Sequence, residues 1–448
     1  MRVSADNNIR LTQNLDQVLG NVPFYERWKS YDPGCDYPVE ERYAALPLLT
    51  KRDIRAHMPK GFIPRDRDFK AGIESGEIEL VTTSGTTEDR SSVVWYQPWW
   101  DASEQAAAKL HAGLDQVING HQREAVLTTP LCAGTVCHIG DLPVEERTLG
   151  RLLFLNQQAD PTRWSARDMD RMIHEIEVFK PQLLEADPAY LAILCRYAAE
   201  NGRSLFKPEF ITLTYEFPSC LHYRQIRRVF PDTPVLSSYG STETGHLLIE
   251  CEHGRFHQNT EYCHLDFQPL KTARGDSLVG RMLVTSLGNP WVSLLRFDVG
   301  DLVYLETGMC PCGRTAGLTV ARVLGRVRDL TFTGTGRAVT VDELDRIVGQ
   351  TDSLVTYQLE QTGRNDFLFH YVTAAGHTAP VLAILAGLKL LYGSAAGITM
   401  RPESAIPTEP SGKFRLARTT FTWNPDDVFK TGGDYHEQHS HRSAGLDS

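Results

Sequence analysis

Near the far end of this 448-residue chain, Pro410-Ser411-Gly412-Lys413 puts a lysine on a glycine-hinged loop. An ammonium so mounted can reach a neighbouring domain's site as a point charge; read alone, it is a surface lysine. Thr82-Thr83-Ser84-Gly85-Thr86-Thr87 combines hydroxyls with one glycine, a turn whose converging N–H and O–H donors suit phosphate oxygens. It lacks the Gly-Lys pair of a Walker loop, and a plain polar hairpin turn fits it as well. Ser238-Tyr239-Gly240-Ser241-Thr242-Glu243 closes a short apolar run. Strand ends of α/β sheets collect ligands, Tyr239 could stack on a base, and Glu243 is a hard oxygen ligand for Mg²⁺. In Leu295-Arg296-Phe297-Asp298-Val299-Gly300-Asp301-Leu302, a carboxylate beside glycine could accept both hydroxyls of a ribose; otherwise Asp301 is an ordinary turn acid.

A fifth group is metal-like. Cys310-Pro311-Cys312 is a tight thiolate pair, and Cys251 and His257 lie upstream in a glycine-containing stretch. Three thiolates and an imidazole make a closed tetrahedral Zn²⁺ site, with no open position for hydrolysis. His253, Cys263 and His264 are alternative ligands, and reduced loop cysteines are the other reading. Nine cysteines, an odd number, do not form a disulfide framework and point to a reducing cytoplasm.

The elements that must hold these groups alternate. Residues 1–60 read as polar and helical, with an N-cap at Thr50; residues 78–82 and 93–96 read as a hairpin-like strand pair. Helices are expected over 101–119, 166–179, 188–201 and 220–230, and strands over 125–129, 151–155, 183–186, 210–214 and 235–238. Strands separated by helices imply largely parallel sheets with crossover helices. Residues 247–325 read as all-β. Beyond Gly325, strands at 354–359, 367–372 and 398–401 with a helix at 379–392 make a small α+β module. The expected division is therefore an N-terminal α/β domain over 1–326, a second domain over 327–424, and a disordered polar tail over 425–448 containing His436, His439 and His441.

Composition narrows the function. The apolar (41%) and charged (23%) fractions are those of a globular chain rather than a disordered one. A net charge of −10 argues against wrapping nucleic acid, but leaves room for a nucleotide in a local loop. No run approaches the ~20 apolar residues of a membrane span, and the first residues lack a signal peptide's apolar core.

Taken in order, TTSGTT, YGSTETG, LLRFDVGDL, GRVRD and PSGK resemble the adenylate-forming superfamily, nearest its phenylacetate-CoA ligase-like branch, over about residues 10–425. Lys180-Pro181 through Asp187-Pro188-Ala189-Tyr190-Leu191, Glu216, and CPCGRT fit that branch. The resemblance implies a large N-terminal adenylate-forming domain and a mobile C-terminal lid joined near Arg328–Asp329. It implies ATP contacts at Thr83, Ser84, Gly85, Thr86, Thr87, Glu216, Ser238, Tyr239, Gly240, Ser241, Thr242, Asp301 and Arg326. Glu243 would hold Mg²⁺, Lys413 would bridge the substrate carboxylate and the α-phosphate, and Cys251, His257, Cys310 and Cys312 would hold Zn²⁺. Cys132, Ala133, Gly134 and His138 would line the acyl pocket or simply pack as loop. The implied activity is activation of a small, aromatic carboxylic acid as its adenylate and transfer to CoA, with dimers common among relatives. The alternative acceptors are an amine, a carrier protein or a small nucleophile, including nitrite-type chemistry; the other alternative is a degenerate nucleotide binder without turnover. Three departures bear on these: Glu88-Asp89-Arg90 after the first motif, Asp298 where the family has arginine, and Arg328 where the lid has an acid.

Overall fold

A computed structural model describes residues 5–82, 91–120, 122–130, 139–271 and 277–430. The expectations placed on Thr83, Ser84, Gly85, Thr86, Thr87, Glu88, Asp89, Arg90, Cys132, Ala133, Gly134, His138 and the tail histidines lie outside the described residues.

One twelve-stranded sheet organises residues up to Arg326. Its parallel part runs Val235–Ser241, Phe210–Leu213, Leu183–Ala186, Glu124–Leu127, Leu152–Phe154. The helices Ala166–Phe179, Pro188–Glu200 and Cys220–Val229 make its crossovers. Each begins at a side-chain cap, Ser165, Asp187 and Ser219 respectively, which satisfies backbone N–H groups that have no partner within the helix. Val235–Ser241 is the switch: it pairs parallel with Phe210–Leu213 on one side and antiparallel with Gly245–Glu250 on the other. From there the sheet continues antiparallel through Phe256–Gln258, Thr319–Arg326, Phe297–Leu305, Val279–Ser286 and Cys263–Pro269. The parallel and β-rich parts thus share one mixed sheet. Two apolar cores serve its halves: Leu15, Tyr25, Phe62 and Phe297 belong to one, and Leu127, Tyr190, Leu213 and Phe230 to the other.

After the short 3₁₀ turn Val327–Asp329, a second, four-stranded sheet forms from Gly397–Pro402, Asp366–Thr373, Leu354–Gln361 and Ala417–Thr419. Helices Val341–Val348 and Val381–Tyr392 pack on it around Leu344, Tyr357, Phe369 and Leu388.

Three sequence expectations need correction. The single helix over 101–119 is two, Gln97–Ala108 and Ala112–Asn119, because the His111 side chain caps a new N-terminus by accepting from Leu114 N at 3.2 Å. Helix Val341–Val348 was not anticipated. Residues 425–430 are not tail: Phe429 is 1% exposed and bridges to Leu270 on the large sheet. The Thr50 cap is present, as a reciprocal capping box with Asp53. Among the described residues, no helix is long and apolar enough to cross a membrane.

Candidate active site

The site forms at the switch strand. Val235–Ser241 and Gly245–Glu250 make a tight hairpin closed by a Thr244 N to Ser241 O bond of 3.1 Å. Gly245 has φ +72°, and a side chain on Gly240 would strike the Gly245 carbonyl, so both positions require glycine. This geometry presents Tyr239 to the neighbouring antiparallel strands, where its hydroxyl donates to Asp301 Oδ2 at 2.6 Å. Asp301 is in register with Arg326, whose Nε lies 3.7 Å from its Oδ1. Burial, and then Asp301, hold the Tyr239 phenol far above its usual range. Burial would lower Arg326, but Asp301, Asp329, Tyr239 and Glu216 outweigh it and keep the guanidinium charged.

Lys413 arrives from the second lobe, 198 residues beyond its partner in sequence: its Nζ donates to the Tyr215 carbonyl at 3.0 Å. Glu216 Oε1 accepts from Phe414 N at 2.7 Å, and Tyr190 Oη donates to Gly412 O at 2.7 Å. Gly412 has φ +83°, and a Cβ there would lie 2.5 Å from Thr129 Oγ1 and 2.9 Å from Ala159 O. Only glycine lets the loop seat so deeply. Burial lowers the Lys413 ammonium, as does Arg326, while Glu216, Asp187 and Asp301 pull the other way. Burial raises Asp187 to about 7 despite Lys413 and the N–H groups of Ala189 and Tyr190. Burial, then Asp187, raises Glu216 well above the carboxylate range. Two cations thus sit among three carboxyl groups, an arrangement suited to receiving an anionic centre.

Ser238, Ser241, Thr242 and Glu243 lie on this strand and its turn; Ser241 Oγ and Thr244 Oγ1 are 2.8 Å apart, and Glu243 is partly exposed. A single accessible carboxylate fits Mg²⁺, which keeps most of its waters. Tyr239, Asp301, Arg326, Glu216 and Lys413 are therefore brought together as expected from the motifs. Asp187 and Tyr215 were not assigned roles by sequence. The Asp187-Pro188 pair signals the start of a helix, but nothing local shows that the cap also faces Lys413.

Asp298 is not aimed at the site as a bare acid. It accepts from Arg281 Nη1 at 2.7 Å and from Gly300 N at 2.9 Å. Arg328 donates to Glu409 Oε2 at 3.0 Å, and Arg415 bonds both Asp329 (2.5 Å) and the Arg328 carbonyl (2.8 Å), so the turn between the lobes is tied to the base of the Lys413 loop.

Away from this centre, the ligand atoms of Cys251, His257, Cys310 and Cys312 all lie within 4.8 Å of one another. Cys251 Sγ and Cys310 Sγ are 3.6 Å apart, and Cys312 Sγ is 3.2 Å from His257 Nε2. Thiolates at ~2.3 Å from a tetrahedral Zn²⁺ stand just under 4 Å apart, so the set fits such an ion. His253 N donates to Cys251 Sγ at 3.4 Å, as supports around a thiolate ligand do.

No protein-family model matches the chain. It is 25% identical over 336 residues to the phenylacetate-coenzyme A ligase of Thermus thermophilus, covering 72% of this chain and 69% of that protein. It is 22% identical over 387 residues to protein CapK of Staphylococcus aureus, covering 83% and 79%. Its fold matches 2-hydroxyisobutyryl-CoA ligase, solved in the postadenylation state with 2-HIB-AMP, at a TM-score of 0.63 over 98% of this chain and 92% of that one, with 15% identity. With Tyr239, Asp301, Arg326, Glu216 and Lys413 converging on one site of this fold, the chain is similar to members of the adenylate-forming superfamily, among them a phenylacetate-CoA ligase.

Proposed function

We propose that this protein is an ATP-dependent ligase that activates a small carboxylic acid as its acyl-adenylate and passes the acyl group to CoA. The observation that carries this reading is Lys413, delivered from the second lobe to Tyr215 O beside Tyr239, Asp301 and Arg326. A carboxylate attacking an α-phosphate meets like-charge repulsion, and a preorganised cation at that point offsets the charge as it develops. Asp301 would accept the ribose hydroxyls, Tyr239 and Glu216 would frame the adenine, and Lys413 would contact both carboxylate and phosphate. A Mg²⁺ on Glu243 would neutralise the departing pyrophosphate.

The natural division is at Val327–Asp329, where a lid spanning 327–424 would turn on the 1–326 body, withdraw Lys413 and admit the thiol. A structural Zn²⁺ on Cys251, His257, Cys310 and Cys312 would fix the β-rich part, in a protein working in the cytoplasm. Supporting CoA over other acceptors is the naming of the T. thermophilus relative as a CoA ligase.

The test is pyrophosphate release over a panel of aromatic and short aliphatic acids, with Lys413→Ala beside the wild type. The variant is expected to lose about 10²–10³-fold in adenylate formation and still bind ATP. Unchanged turnover would remove Lys413 from the chemistry. Adding CoA, amines or nitrite in turn then identifies the acceptor, and ATP binding without pyrophosphate release from any acid would leave a nucleotide binder.

A further inference from the structure

A cavity opens between the switch strand and the helix Gln97–Ala108, lined by Glu104, Glu185, Thr212, Ser238 and His246 among apolar neighbours. Glu185 and Thr212 are register partners on adjacent parallel strands, and Ser238 immediately precedes Tyr239. Glu124, on the next strand, adds a third carboxyl group close enough for Glu185 to repel it. Among the described residues, no lysine or arginine pairs with Glu104, Glu124 or Glu185. Natural proteins rarely leave such groups without a cation.

Two further atoms lack partners. Thr212 is 3% exposed, and its hydroxyl makes no hydrogen bond; the buried Nε2 of His246 makes none either. Both residues line the cavity. Unsatisfied buried polar atoms facing one space are the mark of a missing donor. Burial, then Asp101, raises Glu104 to about 7; burial raises Glu185, opposed by Tyr215; and burial lowers the His246 ring, against Glu185.

Tyr215 connects this cavity to the reacting end. Its carbonyl accepts from Lys413, and its hydroxyl donates to Glu185 Oε1. Its backbone is left-handed, φ +73°, a conformation unusual for a bulky residue and retained where surrounding structure imposes it. Tyr215 thus spans the separation between the Lys413 contact and Glu185, so a substrate with its carboxylate at Lys413 would need about the length of an aromatic side chain to reach Glu185.

Resting on the reading of this chain as an acid-activating ligase, we propose that the acid carries a basic nitrogen, an aromatic or similarly long amino acid, whose N–H groups are received by Glu185, Glu104 and Thr212. An ammonium offers three donors and one positive charge, matching what the cavity lacks. Glu185 and Glu104 are then specificity-determining groups, in contact with the substrate but away from the reacting atoms.

The experiment compares matched acids, (aminomethyl)benzoates and other aryl acids bearing an aliphatic amine against methyl or hydrogen isosteres, in pyrophosphate release. The wild type is expected to favour the amine-bearing member by about a hundredfold in kcat/KM, as sites built around a donor reject analogues without it. Glu185→Gln keeps the Tyr215 hydrogen bond but removes the charge, and is expected to erase most of that preference, chiefly through KM; Glu104→Gln is the second variant. Equal use of both members by the wild type, or a preference untouched by both variants, overturns the proposal while leaving the ligase reading intact. Release with no acid at all defeats the ligase reading instead. The cavity is then read by thermal shift with the same acid pairs: stabilisation by the amine-bearing members, lost in Glu185→Gln, supports it, and no difference overturns it.

Discussion

Asp187 does two jobs with one side chain. It caps helix Pro188–Glu200 through Ala189 N and Tyr190 N, and it faces Lys413. Burial lifts its pKa from 3.8 to about 7, so the folded state holds its proton more tightly than the unfolded state. That contribution is complete below the unfolded value and fades as pH rises from about 4 to 7. Asp187→Asn keeps a capping oxygen and cannot ionise. The melting temperature of the variant relative to wild type is therefore expected to rise across that window; a constant difference would show that Asp187 does not titrate there. Lys413, Tyr239 and Asp301 could be singled out in the sequence because each stands in a motif of consecutive residues, and the structure brings them together. Asp187, Tyr215 and Glu185 were not, because each acquires its role only when residues tens to hundreds apart converge. Asp298 was visible as a departure, but its partner Arg281 is identified only by strand pairing.

The loop Pro410–Lys413 and the thiolate-bearing strands each make a prediction of their own. In the loop, Gly412→Ala adds a methyl against Thr129, Tyr190 and Ala159 at a positive φ. Lys413 should no longer seat, and adenylate formation should fall about as far as in Lys413→Ala, with the melting temperature nearly unchanged; normal activity would mean that the loop acts from another position. Cys310→Ala is expected to abolish stoichiometric zinc in the purified protein and lower its melting temperature, since structural zinc contributes directly to folding. Zinc-free wild type of equal stability would contradict that. Helix Ala166–Phe179 and strand Leu183–Ala186 were read to the residue, because the first has both a capping box and a 3.6-residue apolar period and the second follows Pro181 as a short apolar run. Helix Val341–Val348 escaped notice although Thr340 and Glu343 form a capping box, because eight residues give the period little room to show. The break at Lys109–His111 was hidden by alanines that continue the helical pattern in sequence.

For the molecule as a whole, alternating strands and helices announced the parallel half, yet not its fusion with the antiparallel half into one sheet. That fusion depends on the two edges of a single strand, Val235–Ser241, and pairing partners are not local information. Nor did sequence show that the chain returns after the second lobe. Residues 425–430 lie back on the large sheet: Lys271 N bonds Val428 O at 2.8 Å, Lys430 N bonds Pro269 O at 3.0 Å, and Arg281, 3% exposed, holds Asp426 at 3.0 Å while stacking 4.5 Å over the Phe429 ring. Phe429→Ala should destabilise the protein by about 3 kcal/mol, and retention of wild-type stability in a melt would show the seat to be superficial. The second lobe is thus moored at both ends, at Val327–Asp329 and at Phe429. If the second lobe turns as proposed, it must slip one mooring or twist the nine residues between Thr419 and Phe429. If slipping governs that turn, Phe429→Ala should hasten thioester formation while leaving adenylation alone, and the pace would be set by a phenyl ring seated under Arg281.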